Sequence, residues 1–219
     1  MAATCVILLS LAVLCVVVAP VSIVTRNLDS TPAVVAVHGS LRTGRAELQG
    51  GYQLNWNSHA EVFGLPHLAT DFTIEGNDTR IVGQLRTGAR GVVLHEMSGR
   101  AGPGLAQLVP GAWACDMTAR VADVSFRWGW RRTAASGEIT TPEGDCRKTG
   151  QTITMPPLTL TLSSERDAAL LTLRAVQTEP LATVRVHRDR LLDIAIQPDA
   201  ADVFPQLPRG GPISLQLPF

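Results

Sequence analysis

Residues 158–162 read LTLTL, and this strict alternation of leucine with threonine marks a strand with one apolar and one polar face. A helix repeats its apolar positions every three to four residues, whereas a period of two puts every leucine on the same side of a pleated strand. The same period recurs along most of the chain. Tyr52, Leu54 and Trp56 alternate with Gln53 and Asn55, and Ile81, Gly83 and Leu85 alternate with their neighbours. Leu170 to Leu173, Leu191 to Ile196, and Ile213, Leu215 and Leu217 continue the series. Gly, Pro, Asn and Asp separate these runs. Strands this numerous joined by short turns imply antiparallel pairing, because parallel pairs need crossovers of about a dozen residues or more. The expected fold is mostly β, in antiparallel layered sheets. Its best helical segment is a short turn around Gly104 to Val109, closed by Pro110 and Gly111.

The first part of the chain is different. Residues 2–24, AATCVILLSLAVLCVVVAPVSIV, carry no charged side chain, and about 20 such residues at 1.5 Å per residue span a hydrocarbon core. A cleaved signal peptide would have an apolar stretch of only about 7 to 15 residues ending in small residues of A-x-A type. A lipoprotein site would need a small residue before its cysteine, and Cys15 follows Leu14. The segment therefore reads as one N-terminal transmembrane helix. The organisation expected is an anchor over residues 1–25, a polar connector over 26–33 and a periplasmic β domain over 34–219. Basic side chains normally mark the cytoplasmic flank. Here none precedes the span, and Arg26, Arg42 and Arg45 follow it, so the direction rests on the character of the domain.

Lys and Arg number 19 against 19 Asp and Glu, and there is one Tyr. No general field attracts nucleic acid or an acidic substrate, and nucleic-acid binding is not expected. Cys5 and Cys15 lie inside the apolar segment as small apolar side chains. Cys115 and Cys146 lie in the β domain, where an oxidising periplasm would let them form a disulfide.

No catalytic signature is present. The chain lacks a G-x-S-x-G elbow, an S-x-x-K pair and a cysteine with a recognisable histidine partner. His95-Glu96 begins like a zinc-protease helix, but the second histidine position is Gly99. Val186-His187-Arg188-Asp189 imitates a kinase catalytic loop, yet the position that should hold Asn is Ile194. The chain is thus read as a non-enzyme without cofactor or metal, and His38, His59, His67, His95 and His187 as surface or core residues. Asn77-Asp78-Thr79 reads as a turn. The segments Gly39 to Gly44 (GSLRTG) and Gly83 to Gly88 (GQLRTG) read as two similar hairpin turns. Phe126, Trp128 and Trp130 stand at spacing two, as on one strand face, with Arg127, Arg131 and Arg132 opposite or beside them. Such a row either fills a core or forms a surface for a partner.

A resemblance joins these pieces. An apolar anchor, then VHGSLRTGRAELQGGYQLNW over Val37 to Trp56, then strands only, resembles the type II secretion system protein N family, also called general secretion pathway protein N. The family-like turn is Gly39, Leu41, Gly44, Arg45 and Ala46. The middle region is similar too: a helical turn ending at Pro110, ARVADV over Ala119 to Val124, a tryptophan-bearing strand, and Gly144-Asp145-Cys146. Many members carry an aromatic residue where Arg42 stands and basic residues before the anchor. The resemblance implies an accessory subunit in the inner-membrane platform of a machine that exports folded proteins across the outer membrane. Its partners would be other platform proteins, and it would perform no catalysis. A second reading is an anchored periplasmic protein whose leucine- and valine-rich strand faces bind or transfer lipid. A third, a glycan-handling envelope enzyme, would need a carboxylate pair near Trp128.

Overall fold

The computed structural model describes residues 33–61, 67–89, 91–106, 108, 113–148, 150–175 and 179–219. The expected anchor and nearly all of the connector lie outside them. Among the described residues no helix is long and apolar enough to cross a membrane.

The chain is mostly β and antiparallel, as the alternation predicts. In order come β1 (Val34–Gly39), β2 (Thr43–Leu48), β3 (Gln53–Glu61), β4 (His67–Glu75), β5 (Arg80–Gly88) and β6 (Gly91–Ala101). The helical turn α1 (Pro103–Ala106), β7 (Ala114–Cys115), β8 (Ala119–Trp128), β9 (Ala134–Thr141), β10 (Gly144–Lys148) and β11 (Gln151–Met155) follow. Then come β12 (Leu158–Glu165), β13 (Ala168–Ala175), β14 (Ala182–Val186), β15 (Leu191–Ile196), α2 (Ala200–Val203) and β16 (Ile213–Pro218). The strands form one 13-stranded meander, β1-β2-β3-β4-β5-β6-β8-β9-β12-β13-β14-β15-β16, and a 3-stranded sheet β11-β10-β7. β7, β10 and β11 are thus an excursion from a sheet that otherwise follows the order of the chain.

Directly paired residues share a face, so the registers trace each face across the meander. Leu54 pairs with Ile74, and Ile74 with Ile81. Leu94 pairs with Phe126, and Val121 with Ile139. Leu160 pairs with Ile139 and Leu173, Leu171 with Val184, Val184 with Ile194, and Ile194 with Leu215. One face is therefore apolar from β3 to β16. The other carries pairs such as Asn57 with Asp71, Asp71 with Gln84, Thr159 with Arg174, and Asp193 with Gln216.

The apolar face turns inward. Flat, β8 and β16 would stand six strand spacings apart, about 29 Å at about 4.8 Å each. Instead the rings of Trp128, at the end of β8, and Phe219, just past β16, lie 5.9 Å apart. Val186 of β14 also packs against the buried cluster of Val121, Val124, Ala135, Leu162 and Ala169. The bend has a local cause. β6 and β8 both break register at their centres, with Glu96 (φ 48°) and Asp123 (φ 49°) in left-handed backbone. Ser98 Oγ exchanges hydrogen bonds with Asp123 at 3.1 Å, and Ser125 Oγ accepts the Glu96 N–H at 3.0 Å. Paired bulges of this kind bend and twist a sheet.

At one end of the curl lie α1, the small sheet and α2. Ala200, Val203 and Phe204 pack there with Ala175, Leu181, Leu158 and Ile196. The opposite end carries short connections such as 129–133, 166–167 and 187–190.

Three sequence expectations change. Gly83 to Gly88 is not a hairpin turn but lies within β5, paired to β4 from His67↔Gly88 to Phe72↔Gly83. A continuous partner leaves that segment no place to turn. Trp130 does not share the Phe126–Trp128 strand face, since β8 ends at Trp128 and Trp130 stands 70% exposed beyond it. The helical turn is Pro103–Ala106, one residue earlier at its start.

Candidate functional site

The family-like turn is a compact device. Gly39 (φ 99°) begins the β1–β2 turn and pairs with Gly44. A Cβ on Gly44 would lie 2.2 Å from the Trp56 ring and 2.7 Å from the His38 carbonyl oxygen. The indole N–H of Trp56 donates to the Ser40 carbonyl at 3.0 Å, so Trp56 folds back from β3 to close the turn. Ala46 is buried beside it, whereas Arg45 points outward to Glu47 at 3.1 Å. Beyond this turn, β1 is an edge strand with Val35 65% exposed.

A second node lies at the capped end. The Tyr52 hydroxyl donates to Asp78 Oδ1 at 2.7 Å, and the Gly104 N–H donates to Asp78 Oδ2 at 3.1 Å. Thr79 Oγ1 bonds Asp78 at 2.9 Å and accepts the Gly102 N–H at 2.8 Å. One carboxylate thereby ties the start of β3, the β4–β5 turn and α1 together. The Tyr52 hydrogen bond, helped by the Gly104 N–H, holds the Asp78 carboxyl below its ordinary value against the opposing effect of burial. Burial, then Asp78, pushes the Tyr52 phenol above its ordinary value. The signal for this node is Asn77-Asp78-Thr79 at a turn, but sequence alone does not supply Tyr52 as its partner.

The disulfide is formed. Cys146 of β10 lies directly opposite Cys115 of β7, and the two are bonded across 31 residues of chain.

The aromatic residues divide. Phe126 and Trp128 belong to the inner face, with Phe126 packed on the buried cluster. Trp130 is outside, with the Arg131 guanidinium 5.7 Å from its ring. At Trp128 the Arg190 guanidinium lies 5.9 Å from the ring, and the Phe219 ring meets it at 5.9 Å in a tilted arrangement. The Trp128 indole N–H, the Thr133 hydroxyl and the Thr141 hydroxyl are buried without a hydrogen-bond partner. All three belong to β8, β9 or the connection between them.

The two decoys have structural explanations. His187 Nε2 lies 2.8 Å from Asp193 Oδ2, across the β14–β15 turn. That contact, with Gln216 second, holds the Asp193 carboxyl below its ordinary value. His95, half-buried on β6, faces its exposed neighbour Glu96 at 3.5 Å. Among the described residues no three His, Cys, Asp or Glu side chains gather where they could hold a metal ion. No family model, curated protein or solved structure matches this chain.

Proposed function

We propose that this chain is an accessory, non-catalytic subunit of a bacterial type II secretion platform, held in the inner membrane by residues 1–25 with its β domain in the periplasm. The observation that carries this reading is the Val37 to Trp56 segment. Its family-like residues act together, because the close approach of Trp56 requires glycine at 44 and the ring caps the turn that Gly39 begins. The disulfide suits an oxidising compartment. The outer edge of β1, with Val35 exposed, offers unpaired backbone groups for strand addition by a platform protein. The test is a photo-crosslinking residue at Val35 in a bacterium that secretes by this route. Adducts with inner-membrane platform proteins are expected. Their absence, with secretion unchanged when the gene is deleted, would overturn the reading.

One observation favours a second activity for the same domain. The inner face is apolar across β3 to β16, and two of its leucines on β16, Leu215 and Leu217, remain 47% exposed. A curled sheet with an incompletely covered apolar interior suits an acyl chain. Mass spectrometry of the chain extracted in lipid nanodiscs tests this, with a bound amphiphile expected inside the curl. A protein that carries none would overturn it.

A further inference from the structure

The two ends of the curl differ in charge. Among the described residues, the connections opposite the capped end hold Arg42, Arg131, Arg132, Arg166, Arg188 and Arg190, against only Asp167 and Asp189. The connections at the capped end are rich in carboxylates, including Asp78, Asp116, Glu143 and Asp202. All six arginines are exposed, and among the described residues none of them takes part in an ion pair. An overall neutral chain is therefore strongly polarised along its strands.

The basic end is also the apolar one. Trp130, Leu217 and Phe219 are exposed there, Phe219 to 57%. Phe219 stands against Trp128, whose ring also carries Arg190. Thr133, in the connection leaving β8, is 0% exposed, yet its hydroxyl has no partner, and neither has the Trp128 indole N–H. Buried donors without a partner in the chain are rare in native proteins and take a water, an ion or a ligand group from outside it. Two such donors, unpaired guanidinium groups and an apolar interior behind them match the two halves of one molecule.

We infer that this end is the mouth of a binding site for an anionic amphiphile. Its phosphate or similar headgroup is held by Arg190 at the Trp128 ring, with Arg131 of the neighbouring 129–133 connection at the rim, and its acyl chain lies against the inner face of β12 to β16. Guanidinium groups bind phosphate through paired, charge-assisted hydrogen bonds. The exposed ring of Trp130 suits the water–lipid boundary. This inference rests on the acyl-chain reading above and adds the headgroup class and the end of entry.

The test uses the full chain in phosphatidylcholine nanodiscs and two photoactivatable probes of equal chain length. One is a monoacyl glycerophosphate and the other an uncharged monoacylglycerol. Both are expected to label inner-face residues of β12 to β16, the anionic probe at about tenfold lower concentration. In the double variant Arg131→Glu, Arg190→Glu this preference should vanish while labelling by the uncharged probe persists, which also reports an intact fold. A preference absent from the original chain, or retained in the variant, would overturn the mouth and leave the acyl-chain reading standing. Failure of both probes to label the inner face would overturn both. Complete displacement of the anionic probe by millimolar inorganic phosphate would overturn the amphiphile in favour of a free anion.

Discussion

Replacing Tyr52 by Phe tests the node that ties three segments to one carboxylate. The change deletes a single hydroxyl and keeps the ring that packs against Gly76. Asp78 then retains Thr79 Oγ1 at 2.9 Å and the Gly104 N–H at 3.1 Å but loses its shortest bond, at 2.7 Å. A hydrogen bond to a charged group contributes about 1.5 to 3 kcal/mol. Because Asp78 is only half-buried, solvent screening brings the expected loss to about 1 to 2 kcal/mol. The sign with pH follows from the direction of the shift. A carboxyl held below its ordinary value stabilises the fold above the usual carboxylate range, and that stability is lost as pH falls through the folded-state value. Removing the leading cause of the depression moves this loss to higher pH. The gap between the original chain and the variant should therefore be widest near neutrality and narrow in acid. Urea titration of the full chain in nanodiscs, followed by tryptophan emission, measures it. An unchanged midpoint in the variant would refute the node. So would a double-mutant cycle with Asp78→Asn showing coupling below about 0.5 kcal/mol.

Three further outcomes follow from the same geometry. Gly44→Ala should cost about 1 to 3 kcal/mol, because the new methyl meets both the Trp56 ring and the His38 carbonyl; Trp56→Ala in the same chain should relieve only part of that loss, measured by the same titration. Cys115→Ser with Cys146→Ser should lower stability by about 3 to 4 kcal/mol in the chain-entropy account, and a non-reducing mass measurement on the original chain should find these two thiols absent. Asp193→Asn should remove the acid-dependent loosening of the β14–β15 turn, seen as hydrogen-exchange protection factors at residues 187–193 that fall on acidification in the original chain and no longer do so in the variant.

Most of the strands were legible because one sheet face is apolar and the other polar, so the period of two survives even in short runs such as Leu158 to Leu162. The hairpin at Gly39 to Gly44 was legible from its glycines. Its near repeat at Gly83 to Gly88 was misleading, because identical local chemistry is overridden when a partner strand pairs along its whole length. The curl was not legible. It depends on Glu96 and Asp123 adopting left-handed backbone in mid-strand, a conformation that Glu does not announce and Asp only tolerates, and that Ser98 and Ser125 stabilise from 25 to 29 residues away. The position of Trp130 was missed for a simpler reason: spacing of two continues past a strand's end without marking it. Nor could the basic end be found, since its arginines come from connections spread between residues 42 and 190 and gather there only when the meander is laid out.

The side of the membrane on which residues 34–219 lie decides whether this chain can be a periplasmic platform subunit. Ser136 is exposed on the outer, polar face of β9, so Ser136→Cys, with Cys5 and Cys15 replaced by alanine, places one accessible thiol on the domain while the disulfide occupies the other two cysteines. A membrane-impermeant maleimide applied to intact spheroplasts should label this residue fully. A thiol that reacts only after the membrane is permeabilised would put the domain in the cytoplasm and contradict the proposal of a periplasmic secretion-platform subunit.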